Sequence, residues 1–119
     1  MGKRILVVDD QETIILLLHD RLEKLGFEVA TASNGLEGLE VLRAESITGI
    51  LLDLEMPIMD GLTMLHRLRQ RSATFPVIVM SADPTRSTKI KAIEGGARDY
   101  LFKPISDYIL KHKCLRLFH

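Results

Sequence analysis

Between Gly49 and Pro57, three consecutive apolar residues, Ile50, Leu51 and Leu52, run directly into a carboxylate, Asp53. A run this short, apolar throughout and closed by a turn signal, reads as a strand buried on both faces in the middle of a parallel sheet. Asp53 then stands at the carboxyl end of that strand, the edge where open α/β sheets place their chemistry. An acid at the end of a core strand needs a reason, and the rest of the chain supplies one.

The pattern recurs. Ile5-Leu6-Val7-Val8 ends in Asp9 and Asp10, residues 27–31 form a second short strand ending in neutral Thr31, residues 76–80 end at Ser81, and residues 99–102 lead into Lys103-Pro104. Helical stretches fall between. Residues 12–25 stop at Gly26, Asn34 caps a stretch running to about Ala44, and Asp60-Gly61 opens another bearing Leu62, Leu65 and Leu68. Asp83-Pro84 predicts the start of a fourth helix, a capping acid with proline at the first helical position, and Gly95-Gly96 its end. Ser106 opens a last helix whose apolar pattern thins after Asp107-Tyr108-Ile109-Leu110. The residues up to Phe118 and His119 fray, continue the helix, or mark a truncation point before an unseen output domain.

Strands alternating with helices through short loops predict an α/β fold, a flavodoxin-like (βα)5 three-layer sandwich with a parallel five-stranded sheet of order 2-1-3-4-5. In that order the four strands with chemically distinctive ends lie side by side, and the strand ending in Thr31 is outermost. The 119 residues allow one domain, read as a single unit over 1–119, and 46% hydrophobic content supports its core. Lys+Arg 16 against Asp+Glu 16 leaves no electrostatic footprint for nucleic acid or an anionic membrane. A single cysteine, Cys114, excludes an internal disulfide framework and fits a reducing compartment. Met1-Gly2-Lys3-Arg4 precedes only a brief apolar run before Asp9, and no run is long enough to span a bilayer. The expectation is a cytoplasmic domain.

Asp9, Asp10 and Asp53 converge in this topology, and carboxylates so close repel one another unless a proton or a cation intervenes. All-oxygen ligation without His or Cys points to Mg²⁺, with Mn²⁺ as the alternative. Lys103 adds a positive charge and Ser81 a hydroxyl. Together these groups suit an incoming phosphoryl group, with Asp53 as the nucleophile.

At this point the residues resemble a known family, the receiver domain of two-component response regulators. The similarity covers residues 3–110 and rests on four motifs in order, VVDD (7–10), LLDLEMPIMDG (51–61), MSAD (80–83) and GGARDYLFKP (95–104). The resemblance implies a phosphorylation-dependent signalling switch and no enzyme beyond assistance to its own phosphotransfer and self-dephosphorylation. Asp53 would accept phosphate from a phosphohistidine on a sensor histidine kinase or phosphotransfer protein. Asp10 and Asp53 would ligate Mg²⁺ directly, Asp9 largely through water, with the backbone carbonyl of Glu55 completing the set. Ser81 and Lys103 would each bind a phosphoryl oxygen, and the Lys103-Pro104 bond would be cis. In the switch, Ser81 moves toward the phosphoryl group and Tyr100 turns inward, which reshapes the face of the fourth helix, fifth strand and fifth helix for a partner, an output domain or a homodimer. Glu55 and Asp83, acids at variable positions beside the site, would set the phosphoryl lifetime.

Outside these motifs the reading is plainer. Ile14, Leu18, Leu22 and Leu25 share a narrow helical stripe and belong to the core, whereas Leu16 points nearly the opposite way and Ile15 lies at the edge. Ile15 and Leu16 are a candidate docking patch for the kinase helices. Cys114 reads as half-buried, and Lys111, His112, Lys113 and Arg116 as a solvated basic face. His19, His66, His112 and His119 have no spacing that groups them as ligands. Two rival functions share parts of the chemistry. A phosphatase of the haloacid-dehalogenase type places its nucleophile in an Asp-x-Asp sequence on the first strand, unlike Asp53-Leu54-Glu55 here. A flavin carrier requires a Ser/Thr/Gly-rich phosphate loop where this chain has acids.

Overall fold

Gly49–Asp53 and Val77–Ser81 are buried at every position, which only strands covered on both faces allow. The computed structural model describes residues 2–70 and 75–118; His119, the expected truncation point and one of the ungrouped histidines, lies outside them. Five strands, β1 (Arg4–Val8), β2 (Glu28–Ala32), β3 (Gly49–Asp53), β4 (Val77–Ser81) and β5 (Asp99–Phe102), alternate with five helices. These are α1 (Glu12–Lys24), α2 (Gly35–Ala44), α3 (Gly61–Gln70), α4 (Arg86–Glu94) and α5 (Asp107–Leu117). Every strand pairing is parallel and the order is β2-β1-β3-β4-β5, as the sequence predicts.

Side chains alternate across the sheet and so build two cores. Leu6, Val8, Ile50, Leu52 and Val79 face one way, onto Leu39, Met64 and Leu65 of α2 and α3. Ile5, Val7, Leu51 and Ile78 face the other, onto Leu18 and Leu22 of α1 and Leu110 and Cys114 of α5. The predicted stripe of α1 holds: Leu18 and Leu22 are buried, and Ile14 and Leu25 pack against them. Ile15 is also drawn onto this core, whereas Leu16 is 64% exposed.

Several expectations shift. The second strand is Glu28–Ala32, one residue later than predicted, because Phe27 belongs to the helix stop. Gly26 takes φ +96°, its N–H bonds to the carbonyl of Glu23, and the Phe27 N–H bonds to that of Leu22. This double bond pair around a left-handed glycine closes the helix end. The fourth helix begins at Arg86 with Thr85 as its cap, not at Asp83-Pro84. The Asp83 carboxylate instead accepts from the Thr85 N–H at 2.9 Å and the Thr88 hydroxyl at 2.7 Å, bridging the loop to the first turn. Of the nine residues of α4 only Ala92 is buried, and its far end is tied by Arg69 Nη1 donating to the Glu94 carbonyl at 2.9 Å.

The end of the chain departs furthest from its reading. The last helix continues to Leu117, and Cys114 is fully buried, its thiol pushed by that burial up to about 12. Phe118 is buried as well, with its ring over Gly49, where an added Cβ would meet it at 2.3 Å. The supposed solvated basic face is partly paired: Lys113 Nζ and Arg116 Nη2 hold the carboxylate of Asp99 at 2.8 and 2.7 Å.

Candidate functional site

Parallel register sets the strand ends against one another. Val8 lies opposite Leu52 and Asp53 opposite Met80, while Ser81 lies opposite Phe102, the residue before Lys103. The polar residues that follow or close these strands therefore meet at one edge. Asp9, Asp53 and Ser81 are the buried polar residues among those described, and all three are at this edge. One carboxylate oxygen from each of Asp9, Asp10 and Asp53 lies within 4.8 Å of the others, with Asp10 the exposed member.

Lys103 reaches into the cluster. Its Nζ donates to Asp9 Oδ2 at 3.0 Å, lies 3.3 Å from Asp53 Oδ1, and contacts Gln11 Oε1 at 3.4 Å. The Lys103-Pro104 peptide that precedes α5 is cis, as the resemblance implies. Loop amides complete the frame: the Gln11 N–H donates to Asp9 Oδ1 at 2.9 Å and the Glu55 N–H to Asp53 Oδ1 at 3.2 Å. Gly61 is required for this geometry, since a Cβ there would lie 2.4 Å from the Asp53 carbonyl oxygen. In the same loop Ile58 takes φ +68°, a conformation that is costly for a β-branched residue.

The electrostatics are unbalanced. Burial first, and then the negative charge of Asp9, push the Asp53 carboxyl up to about 7, against the pull of Lys103. Burial works against the Lys103 ammonium, yet the hydrogen bond to Asp9 and the charges of Asp53 and Asp9 raise its pKa above the usual lysine value. Three carboxylates face one ammonium, leaving a formal excess of two negative charges. The donor set is oxygen only, and its excess matches a divalent cation of the Mg²⁺ type.

Around this centre the remaining expected residues take distinct places. The Ser81 hydroxyl donates to Glu55 Oε2 at 2.7 Å and accepts from the Asp83 N–H at 3.0 Å. Glu55 Oε1 also accepts from the Ala82 N–H at 3.1 Å. The Asp83 carboxylate is directed to Thr85 and Thr88 and its backbone to Ser81. Tyr100 is 3% exposed, its hydroxyl donating to the Asp83 carbonyl at 2.8 Å and its ring 4.8 Å from that of Phe102. Ile15 and Leu16 are on α1, the helix that begins just after Asp10 and Gln11. Sequence reasoning missed Gln11, Thr85 and Thr88. A Thr-x-x-Thr spacing that begins two residues after an acid is a capping pattern that points to the last two, whereas nothing local marks Gln11.

Comparisons with known proteins bear on the family and the fold. The chain is 42% identical over 106 residues to the alkaline phosphatase synthesis transcriptional regulatory protein PhoP of Bacillus subtilis, covering 89% of this chain and 44% of that protein. It is 38% identical to the transcriptional regulatory protein SrrA of Staphylococcus aureus, covering 97% of this chain and 48% of that one. The chain thus spans about half the length of the curated relatives it matches. Among solved structures, the receiver domain of the Francisella response regulator 1452 superposes with a TM-score of 0.93 at 31% identity, over 98% of this chain and 97% of that one. The Vibrio cholerae chemotaxis protein CheY4 gives 0.92 at 26% identity, over 98% and 99%. No helix among the described residues is long and apolar enough to cross a membrane. With a family model for the response regulator receiver domain matching residues 5–114, the chain belongs to the receiver domains of two-component response regulators.

Proposed function

We propose that Asp53 is the phosphoacceptor of this receiver domain, taking its phosphoryl group from a phosphohistidine on a sensor histidine kinase or phosphotransfer protein. The observation that carries the reading is the placement of Asp53, buried beside the carboxylates of Asp9 and Asp10 with the Lys103 ammonium at 3.3 Å. In the transfer, an Asp53 oxygen forms the new O–P bond as the N–P bond of the phosphohistidine breaks. The bonding pair leaves with the imidazole nitrogen, which takes up a proton. Lys103 and Ser81 supply a cation and a hydroxyl for the phosphoryl oxygens.

Mg²⁺, or Mn²⁺ in its place, fits the oxygen-only donor set; when bound it would neutralise charge on the carboxylates and the phosphoryl oxygens. Asp10, Asp53 and the Glu55 backbone carbonyl would hold it directly, with Asp9 acting through water. Pro104 follows the lysine and fixes the turn into α5. Ser81 and Tyr100 are the switch residues, with Tyr100 already inward in the unphosphorylated chain, and Glu55 and Asp83 set how long the phosphoryl group lasts. The output is the face of α4, β5 and α5, read by a partner, by an output domain or by a second copy after phosphorylation. The domain catalyses nothing beyond its own phosphorylation and dephosphorylation. It works as one unit in the cytoplasm, without contacting nucleic acid or membrane itself, and Ile15 and Leu16 meet the kinase.

Incubation with acetyl phosphate and Mg²⁺ should add one phosphoryl group to the wild type by intact mass and none to Asp53→Asn or to chelator-treated protein. A folded wild type left unmodified, or a label that persists in Asp53→Asn, overturns the assignment.

A further inference from the structure

The two donors at the end of β4 already hold an anion. Glu55 accepts from the Ser81 hydroxyl at 2.7 Å and from the Ala82 N–H at 3.1 Å, one carboxylate oxygen for each. Ser81 is 0% exposed, so its hydroxyl proton has no ready alternative in water. Among the described residues no buried side-chain polar atom lacks a partner, and the acceptor for this proton is Glu55. Removing that acceptor would leave a buried donor unsatisfied.

The hydrogen bonds continue outward from there. Ser81 Oγ accepts from the Asp83 N–H, the Asp83 carbonyl accepts from the Tyr100 hydroxyl at 2.8 Å, and the Asp83 carboxylate accepts from Thr88 on α4 at 2.7 Å. Glu55, on the β3–α3 loop, thus closes a path that runs through the β4–α4 loop to the buried Tyr100 ring.

We infer that the Glu55 carboxylate is a resident stand-in for the phosphoryl group, filling the Ser81 and Ala82 donors and holding Tyr100 inward before any phosphorylation. This rests on the reading of Asp53 as phosphoacceptor. A carboxylate brings one charge and two acceptor oxygens, whereas a phosphoryl group brings close to two charges and three. The arriving group therefore displaces Glu55 and takes over its donors. Only the difference between the two anions shifts the equilibrium, so Glu55 narrows the gap between resting and phosphorylated forms.

The chain has two tyrosines, Tyr100 and Tyr108, so 3-fluorotyrosine labelling yields two fluorine resonances, assigned with Tyr108→Phe. The metal-free wild type should show Tyr100 shielded from solvent by its D2O isotope shift. In Glu55→Ala the same resonance should move to a solvent-exposed position, with the inward-to-outward ratio falling about tenfold or more, the scale of one charge-assisted hydrogen bond. Glu55→Gln should fall between, because its amide oxygen still accepts from Ser81 while its NH2 opposes the Ala82 N–H. Acetyl phosphate with Mg²⁺ should restore the inward signal in Glu55→Ala. A Tyr100 resonance unchanged in Glu55→Ala overturns the inference. A protein that acetyl phosphate leaves unlabelled, yet whose Tyr100 is released by Glu55→Ala, supports the hold by Glu55 and overturns only the assignment of Asp53.

Discussion

The two ends of β3 sit in opposite surroundings. At Gly49 the strand starts beneath the Phe118 ring, which also meets Phe27 edge-on at 6.4 Å, so that end is closed by apolar atoms packed too tightly for even one methyl group. At Asp53, four residues later, the strand ends among carboxylates that outnumber their one ammonium. The first end obeys close packing and the second unbalanced charge. The fold's stability and its chemistry are therefore anchored at opposite edges of the same sheet, and each should be breakable without the other.

The largest effect should come from the packed end. Phe118→Ala should lower the free energy of unfolding by about 3–5 kcal/mol in urea titration, while acetyl phosphate still labels Asp53 below the lowered melting temperature. Loss of labelling in a variant that remains folded would show the two edges to be coupled. The charged end should give a smaller effect of opposite sign. Asp53 has a native pKa of about 7, raised above its unfolded value. Its contribution to stability is thus fully present below about pH 4 and is lost as pH rises through about 7. Without divalent ions, Asp53→Asn should therefore melt higher than wild type at pH 8, by about 1–3 kcal/mol in stability, and the two should converge toward pH 4. Added Mg²⁺ should narrow the gap at pH 8 by stabilising the wild type.

Asp99 offers the contrasting sign on the same sheet. Burial opposes its charge, but the Lys113 ammonium, the Tyr100 N–H and Arg116 outweigh that and hold its carboxyl below the usual range. Its contribution is present above the unfolded carboxylate value and is lost as pH falls through the native one. Asp99→Asn should cost about 1 kcal/mol at pH 7, a half-buried pair being worth little more. The cost should fade toward pH 3 in the same thermal melts. Smallest of all in stability is Leu16→Lys, expected within about 0.5 kcal/mol of wild type at so exposed a position. Its effect should appear in phosphotransfer from the kinase, which slows while labelling by acetyl phosphate does not. Equal slowing with both donors would count against docking there.

What the sequence revealed and what it hid divide along a physical line. The bounds of β3 and β5 were legible because apolar runs between Gly49 and Asp53, and between Asp99 and Lys103, carry their own stops. The strand order came from the alternating strand–helix pattern of a flavodoxin-like sheet, and the runs that end in functional groups fell on adjacent strands of it, which served as a check. The start of α4 was misplaced because Asp83 and Thr85 are both good caps, and the choice between them depends on the Thr88 hydroxyl one turn later. Phe118 was illegible for a different reason. Its burial depends on a missing side chain at Gly49, and no local pattern couples the last helix to the start of the third strand. The pairing of Lys113 and Arg116 with Asp99 is equally non-local.

The way α4 is held has a mechanical consequence. Ala92 is its single buried residue, Ile90 and Ile93 are each 45% exposed, and a hydrogen bond moors the helix at either end, through Thr88 and through Glu94. A helix with one fully buried side chain can be re-seated at a lower packing cost than a helix with a wide buried face. One of the moorings seen among the described residues runs to the loop that follows Ser81, so the proposed change of anion at that serine would pull on this lightly held helix.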